Sequence, residues 1–208
     1  MTGPIPINLA FEDALIESLI KKIFEILPIQ YATRTIYNRG GNGYLRRTIN
    51  GLNLAARGIP FLVVTDLDDR ECPQALISDW LTSPKHHNLL IRVAVREAEA
   101  WLLADKENFA RFLGIRSALV PIDVESLPQP KEALVNLARN SSRKTIRDEI
   151  CPKQNSTSKV GPNYNGRLSS FVQNTWDPVN AGRNCTSLQR TIQRLTDFRP
   201  IWPIQPVD

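Results

Sequence analysis

Histidine is nearly absent: the 208-residue chain has two, the neighbours His86 and His87. That excludes a site built on three His ligands or a His-rich zinc constellation, so any metal bound here must be held by carboxylates. Cysteine is scarce too. Cys72, Cys151 and Cys185 lie far apart, form no CxxC pair and are odd in number, which points to free thiols rather than a disulfide framework. Long apolar runs are missing: stretches such as residues 59–64 fall far short of the roughly 20 residues a membrane helix needs. The first residues lack a basic region and an unbroken apolar stretch, and Glu12 and Asp13 arrive early, so no secretory signal and a cytoplasmic location are expected. With 42% hydrophobic and 23% charged residues the composition is that of an ordinary folding chain of one domain, or one with an appendage.

Charge is present in excess but unevenly. Residues 1–130 hold 14 Lys+Arg against 15 Asp+Glu, whereas residues 131–208 hold 12 against 6. A basic segment joined to a nearly neutral one fits a polyanion partner, although many soluble domains of this balance touch no nucleic acid.

The apolar pattern gives the order of elements. Ile5, Ile7, Leu9 and Phe11 alternate as in a strand, and from Glu12 onward Leu15, Ile16, Leu19, Ile20 and Ile23 recur at helical spacing until Pro28. Residues 31–37 read as a second strand, followed by the turn Arg39-Gly40-Gly41-Asn42-Gly43 and a helix weakened by Gly51. Residues 60–65 form a continuous apolar run, the mark of a parallel strand buried on both faces, ending in Asp66-Leu67-Asp68-Asp69. A helix from Pro73, a strand over 89–95 and helical spacing over 96–113 complete a β-α-β-α-β-α-β-α order. This predicts an α/β fold: a four-stranded parallel, Rossmann-like sheet with helices on both faces. Three regions are expected: a catalytic domain over 1–116, a Pro-rich linker over 117–130, and a basic, mainly helical extension over 131–208.

Ligands of such sheets sit at the carboxyl ends of the strands, where Glu12, Asp66 and Asp68 fall. Clustered carboxylates supply the hard oxygen ligands that Mg²⁺ takes, and Asp66 and Asp68 point the same way if the strand continues through them. The plain alternative is that each acid is a helix cap or turn former.

A strand-Glu12-helix unit followed by strand-Asp66-Leu67-Asp68 resembles the TOPRIM domain of topoisomerases, primases and OLD-type nucleases, over about residues 5–113. FEDALIE, RGGNGYLRR, FLVVTDLDD and REAEAWLLAD more narrowly resemble an uncharacterised bacterial TOPRIM-like family, suspected to partner ATPases in phage defence. Asp13 stands where the general pattern has Gly. The resemblance implies phosphodiester chemistry with Mg²⁺ or Mn²⁺, with Asp66 and Asp68 as metal ligands and Glu12 as ligand or general base. It also implies a nucleic-acid substrate, DNA ahead of RNA, and a separate ATPase subunit. OLD-type nucleases add acids for a second metal, for which Glu97 and Glu99 are the candidates. On one regular helix they stand about 200° apart, so one faces the metals; Glu97, nearer the strand end, is favoured, against the alternative that both are first-turn acids complementing the helix dipole.

Asp105 reads as an N-cap. Around the Gly40–Gly43 turn, Arg39, Arg46 and Arg47 are candidate phosphate contacts. In the extension, Arg139, Arg143, Lys144 and Arg147 have spacings that put three on one helical face, while Lys159 and Arg167 bracket the Gly161–Gly166 loop. Lys159 is the candidate cation beside the scissile phosphate, and Tyr164 and Trp176 are either base-stacking or core residues. Competing readings are a TOPRIM-like module that binds nucleic acid or a protein without cutting, and a haloacid-dehalogenase-type phosphatase. The latter places its DxD motif on the first strand, whereas here it follows the third.

Overall fold

The computed structural model describes residues 3–38 and 40–202. Arg39 therefore lies outside the described residues. The chain folds as α/β, with strands β1 (Ile5–Phe11), β2 (Tyr31–Asn38), β3 (Phe61–Asp66) and β4 (Leu89–Ala94). They form one parallel four-stranded sheet in the order β2-β1-β3-β4. Helix α1 (Ala14–Ile26) follows β1, α2 (Gly41–Ala55) follows β2, and α3 (Pro73–Trp80) connects β3 to β4. After β4 come α4 (Glu99–Ala104), α5 (Lys106–Leu113) and five more helices: α6 (Pro130–Arg139), α7 (Lys144–Ile150), α8 (Tyr164–Asn174), α9 (Pro178–Arg183) and α10 (Thr186–Asp197). Among the described residues no helix is long and apolar enough to cross a membrane.

Strand β1 tolerates Pro6 because of where its missing N–H would point. Ile5 N donates toward β2, to Gln30 O, whereas the next even position, Asn8 N, donates toward β3, to Pro60 O. Pro6 faces β3 one step before β3 begins, so no ladder bond is lost. The alternation expected for β1 gives way to burial of every residue from Ile7 to Phe11, because β1 is central and covered on both faces. Asn8, buried in that strand, satisfies its side chain by accepting Thr35 N at 3.0 Å, where the β1–β2 register shifts.

Two cores flank the sheet. Leu45, Ile49, Leu76 and Trp80 from α2 and α3 pack on one face against Val63 and Val93. The other face buries Leu15, Leu19 and Ile23 of α1 together with apolar residues of the C-terminal helices, among them Leu134, Leu168, Phe171, Leu188 and Leu195. Residues 117–130 include a 3₁₀ turn (Ser117–Leu119) and bury Val120 and Val124 in that same core. Trp101 and Trp176 join the two regions: Trp176 Nε1 donates to Trp101 O at 3.1 Å, and Trp101 Nε1 donates to Ser187 Oγ at 2.8 Å.

Two local expectations need correction. The helical spacing over 96–113 breaks at Asp105, whose side chain does not cap α5. It is fully buried and accepts Asp177 N at 2.8 Å and Asn180 Nδ2 at 2.7 Å, tying α5 to α9. Arg139 shares no helix face with Lys144 and Arg147, because α6 ends before Asn140 and α7 starts at Lys144, with Arg143 at its N-cap.

Candidate functional site

Glu12 leaves the end of β1 and Asp13 immediately caps α1, its Oδ1 accepting Ile16 N at 3.0 Å. The residue that replaces the expected glycine is thus a helix cap. Because β1 and β3 are neighbours, Glu12 meets the end of β3: Oε1 accepts Asp66 N at 3.1 Å and the Thr65 hydroxyl. Asp66 is buried, and its Oδ1 accepts Ala98 N at 2.8 Å. The Val95–Arg96 peptide between β4 and α4 is cis.

Asp68 does not continue the strand. β3 stops at Asp66, Leu67 is buried, and Asp68 turns through a left-handed φ of 50° into solvent. Its N donates to Arg96 O at 2.9 Å, and its Oδ2 accepts Asn42 Nδ2 at 3.0 Å. Asn42 is delivered by the glycine turn, where Gly40 and Gly41 have φ of 89° and 68°, a conformation that costs other residues strain. The expectation that Asp66 and Asp68 share a direction is therefore corrected, although the Asp68 charge still acts on Glu12.

Spacing favours Glu97, but the glutamate whose charge acts on Asp66 is Glu99, which is 1% exposed. Glu99 Oε1 accepts the buried Tyr164 hydroxyl at 2.9 Å and lies 3.4 Å from Lys131 Nζ. Glu97 Oε2 instead accepts Lys131 N at 2.7 Å, at the first turn of α6. Sequence reasoning missed Lys131, Thr65 and Asp13 as parts of the site. For Lys131 the only signal was its place after Pro130 at a helix start, which says nothing about direction.

These acids repel one another in a dry setting. Burial raises the Asp66 pKa well above the usual carboxylate value, and Glu99 and Glu12 push it further. Burial also raises Glu99, with Lys131 opposing the shift, and raises Glu12 against its bonds from Thr65 and Asp66 N. Burial works against the Lys131 charge, but Glu99, Glu97, Asp66 and Asp13 together hold its pKa above the ordinary lysine value. Lys131 is the resident counter-ion of the cluster.

The donor set is all oxygen, which suits Mg²⁺ or Mn²⁺. Glu12 and Asp66 would hold such an ion, with Asp68 acting on the first and Glu99 on the second. The arrangement supplies this chemistry as a pair: among the described residues no three His, Cys, Asp or Glu side chains form a group that could hold a metal ion.

The predicted cations do not converge on the acids. Lys159 is exposed and lines a cleft of about 440 Å³ with Glu97, Lys131 and Arg139. Arg46 pairs with Asp79 at 3.2 Å, Arg167 pairs with Glu149, Arg147 donates to Ser141 O, and Arg143 donates to Phe112 O at 3.1 Å. Arg47 and Lys144 are exposed. Tyr164 and Trp176 are core residues, 4% and 2% exposed, and so offer no ring for base stacking.

The chemical capacity of the site is thus a pair of carboxylates at adjacent strand ends, each held by a backbone N–H, and backed by a buried Glu-Tyr-Lys group whose Lys131 also lines the cleft of Lys159 and Arg139. Comparison of the chain with family models, curated proteins and solved structures finds no match.

Proposed function

We propose that the chain is a Mg²⁺- or Mn²⁺-dependent nuclease that hydrolyses phosphodiester bonds of nucleic acid, DNA ahead of RNA, in the cytoplasm and together with a separate ATPase subunit in defence. The observation that carries the reading is the meeting of Glu12 and Asp66 at the carboxyl end of a parallel sheet, with Glu99 acting on Asp66 in a buried setting. Structural acids rarely accumulate where their charged forms are disfavoured, and perturbed carboxylates in such a place mark functional sites. A divalent ion, when bound, supplies a stronger nucleophile from water and offsets charge on the phosphate. Of the chain's own groups, Glu12 and Asp66 would fix the ion. Thr65 and Ala98 N orient those carboxylates, and Lys131 and Tyr164 hold Glu99. Lys159 and Arg139, remote from the carboxylate pair in the cleft that Lys131 also lines, would contact the nucleic acid beyond the scissile bond.

A second reading, a non-catalytic nucleic-acid or protein-binding module of an ATPase complex, draws on two observations. Lys131 already neutralises part of the acid cluster, and among the described residues no three carboxylates gather into one metal-holding group.

The deciding experiment compares wild type with Asp66→Asn and Glu12→Gln on duplex DNA, single-stranded DNA and RNA, with Mg²⁺ and separately Mn²⁺. Metal-dependent cutting that both variants abolish while retaining the wild-type circular dichroism spectrum supports the nuclease. If wild type cuts nothing and takes up no Mn²⁺ by calorimetry, the catalytic reading is wrong and the binding module stands.

A further inference from the structure

The nucleic-acid residues expected from sequence are scattered and largely engaged, yet a concentrated set of cations lies on another flank. Helix α10 runs beside the edge strand β4, and Arg92 of that strand is tied to it, Nε donating to Thr191 Oγ1 at 3.2 Å. Arg190 and Arg194, one turn apart on α10, stand about 6 Å apart along the axis. Lys85 is anchored at the amino end of β4, its Nζ donating to Leu89 O at 2.9 Å. Among the described residues none of these four cations makes an ion pair. The nearby acids are engaged by other donors. Glu125 accepts Thr186 N at 2.9 Å and Ser187 N at 2.8 Å and so caps α10, and Asp197 accepts Gln193 Nε2 at 2.7 Å.

Arg92 is the telling member. It is half-buried and without a carboxylate, and a partly desolvated unpaired cation is unfavourable. Burial lowers the pKa of Arg92, and Arg194 and Arg190 lower it further; burial and Arg194 act on Lys85 in the same direction. A ligand with several negative charges would relieve this repulsion. Arg92 and Arg190 border a cleft of about 310 Å³ that Thr186, Ser187 and Glu125 also line, the Glu125 carboxylate being engaged by the backbone N–H groups of Thr186 and Ser187. From Leu89 to Arg92 the strand advances about 10 Å, which spans about three phosphates of one DNA strand at 3.4 Å each along the axis.

We propose that the flank formed by β4 and α10 is a duplex-DNA surface, on which Lys85, Arg92, Arg190 and Arg194 hold the phosphate backbone away from the carboxylate site. The proposal deepens the nucleic-acid reading above and rests on it for the class of ligand, but not on cleavage. A backbone clamp of this kind supplies affinity and register without reading sequence. It keeps hold of the duplex whichever strand reaches the carboxylates.

The test is fluorescence anisotropy of a short labelled DNA duplex with the full chain in chelator, across roughly 50 to 200 mM salt. Arg190→Gln/Arg194→Gln removes two charges from solvent-accessible side chains; Arg57→Gln/Arg116→Gln removes two exposed charges elsewhere. The patch variant is expected to lower the slope of log K against log salt by about 1.8, at about 0.9 per charge, which is about 60-fold weaker binding at 0.1 M salt. The control variant is expected to bind nearly as wild type. Equal slopes for the two variants, or no duplex binding by wild type at the lowest salt, would overturn the proposal, the latter leaving an acidic protein as the better partner. Cleavage scored in parallel separates the two claims. Loss of binding in the patch variant of a chain that never cuts sinks the nuclease alone, and cutting with equal slopes sinks the patch alone.

Discussion

Replacing Lys131 by Met removes the positive charge from the acid cluster while keeping most of the apolar stem. At the observed Nζ–Oε1 distance of 3.4 Å, the attraction to Glu99 is about 5 kcal/mol for an effective dielectric of 20. The lysine side chain is 35% exposed, so solvent screening reduces this by about half. Lys131→Met is therefore expected to cost about 2–3 kcal/mol near neutral pH, a fall in Tm of about 5–10 °C for a chain of this size. The deficit has a sign with pH. Glu99 and Asp66 have folded pKa values above their unfolded ones, so the folded state binds their protons more tightly, and stability falls as pH rises through those values. Lys131, raised in the folded state, keeps its charge across the whole carboxylate range, but what it stabilises is the ionised form of Glu99, so its contribution grows as that proton leaves. Without it the decline with rising pH steepens. Thermal unfolding in chelator, followed by circular dichroism at about pH 5 and about pH 8, is expected to show most of the deficit at the higher pH. An equal deficit at both would refute the counter-ion argument and reduce Lys131 to a packing residue.

Asp13→Ala removes the cap on Ile16 N and is expected to cost about 1 kcal/mol in urea unfolding, with Asp13→Ser restoring most of it. Gly161→Ala drives a Cβ into Glu149 O and to 2.7 Å from Cys151 O, both backbone atoms that cannot give way. A loss of about 3 kcal/mol is expected, together with movement of Tyr164 visible as a changed near-ultraviolet spectrum. Alkylation of the native chain is expected to reach Cys72 first, since Cys151 and Cys185 are buried and burial pushes the Cys185 thiol up to about 12. Peptide mapping after a short pulse of iodoacetamide checks this, and equal labelling of all three would show that the packing at the end of α7 and the start of α10 opens readily.

The parallel sheet was legible because its strands are short, apolar and separated by helical spacing, a signal that needs no tertiary context. The two ends of β1 and β3 were likewise legible, since a parallel sheet sends the residue after each strand to the same side. What the sequence concealed was direction within a few residues. Asp68 lies two positions from Asp66, but a left-handed residue after a buried Leu67 separates them. Glu97 and Glu99 trade places because Ala98 N is committed to Asp66, so the helix begins only at Glu99. Lys131 and Tyr164 arrive from more than 30 residues away in sequence and carry no local pattern, and Arg92 looked like an ordinary strand residue. Each depends on which helix packs where, and that is fixed by apolar contacts across the whole chain.

The site draws its carboxylates from the first half of the chain and its neutralising partners, Lys131 and Tyr164, from the second. A chain leaving the ribosome therefore presents Glu12, Asp66 and Glu99 while their counter-ion and hydroxyl donor are still unsynthesised. Until α6 and α8 dock, Glu99 lacks both its counter-ion and the hydroxyl that donates to it. Integrity of the C-terminal helices is thereby a condition for the geometry of the acid cluster and not only for stability.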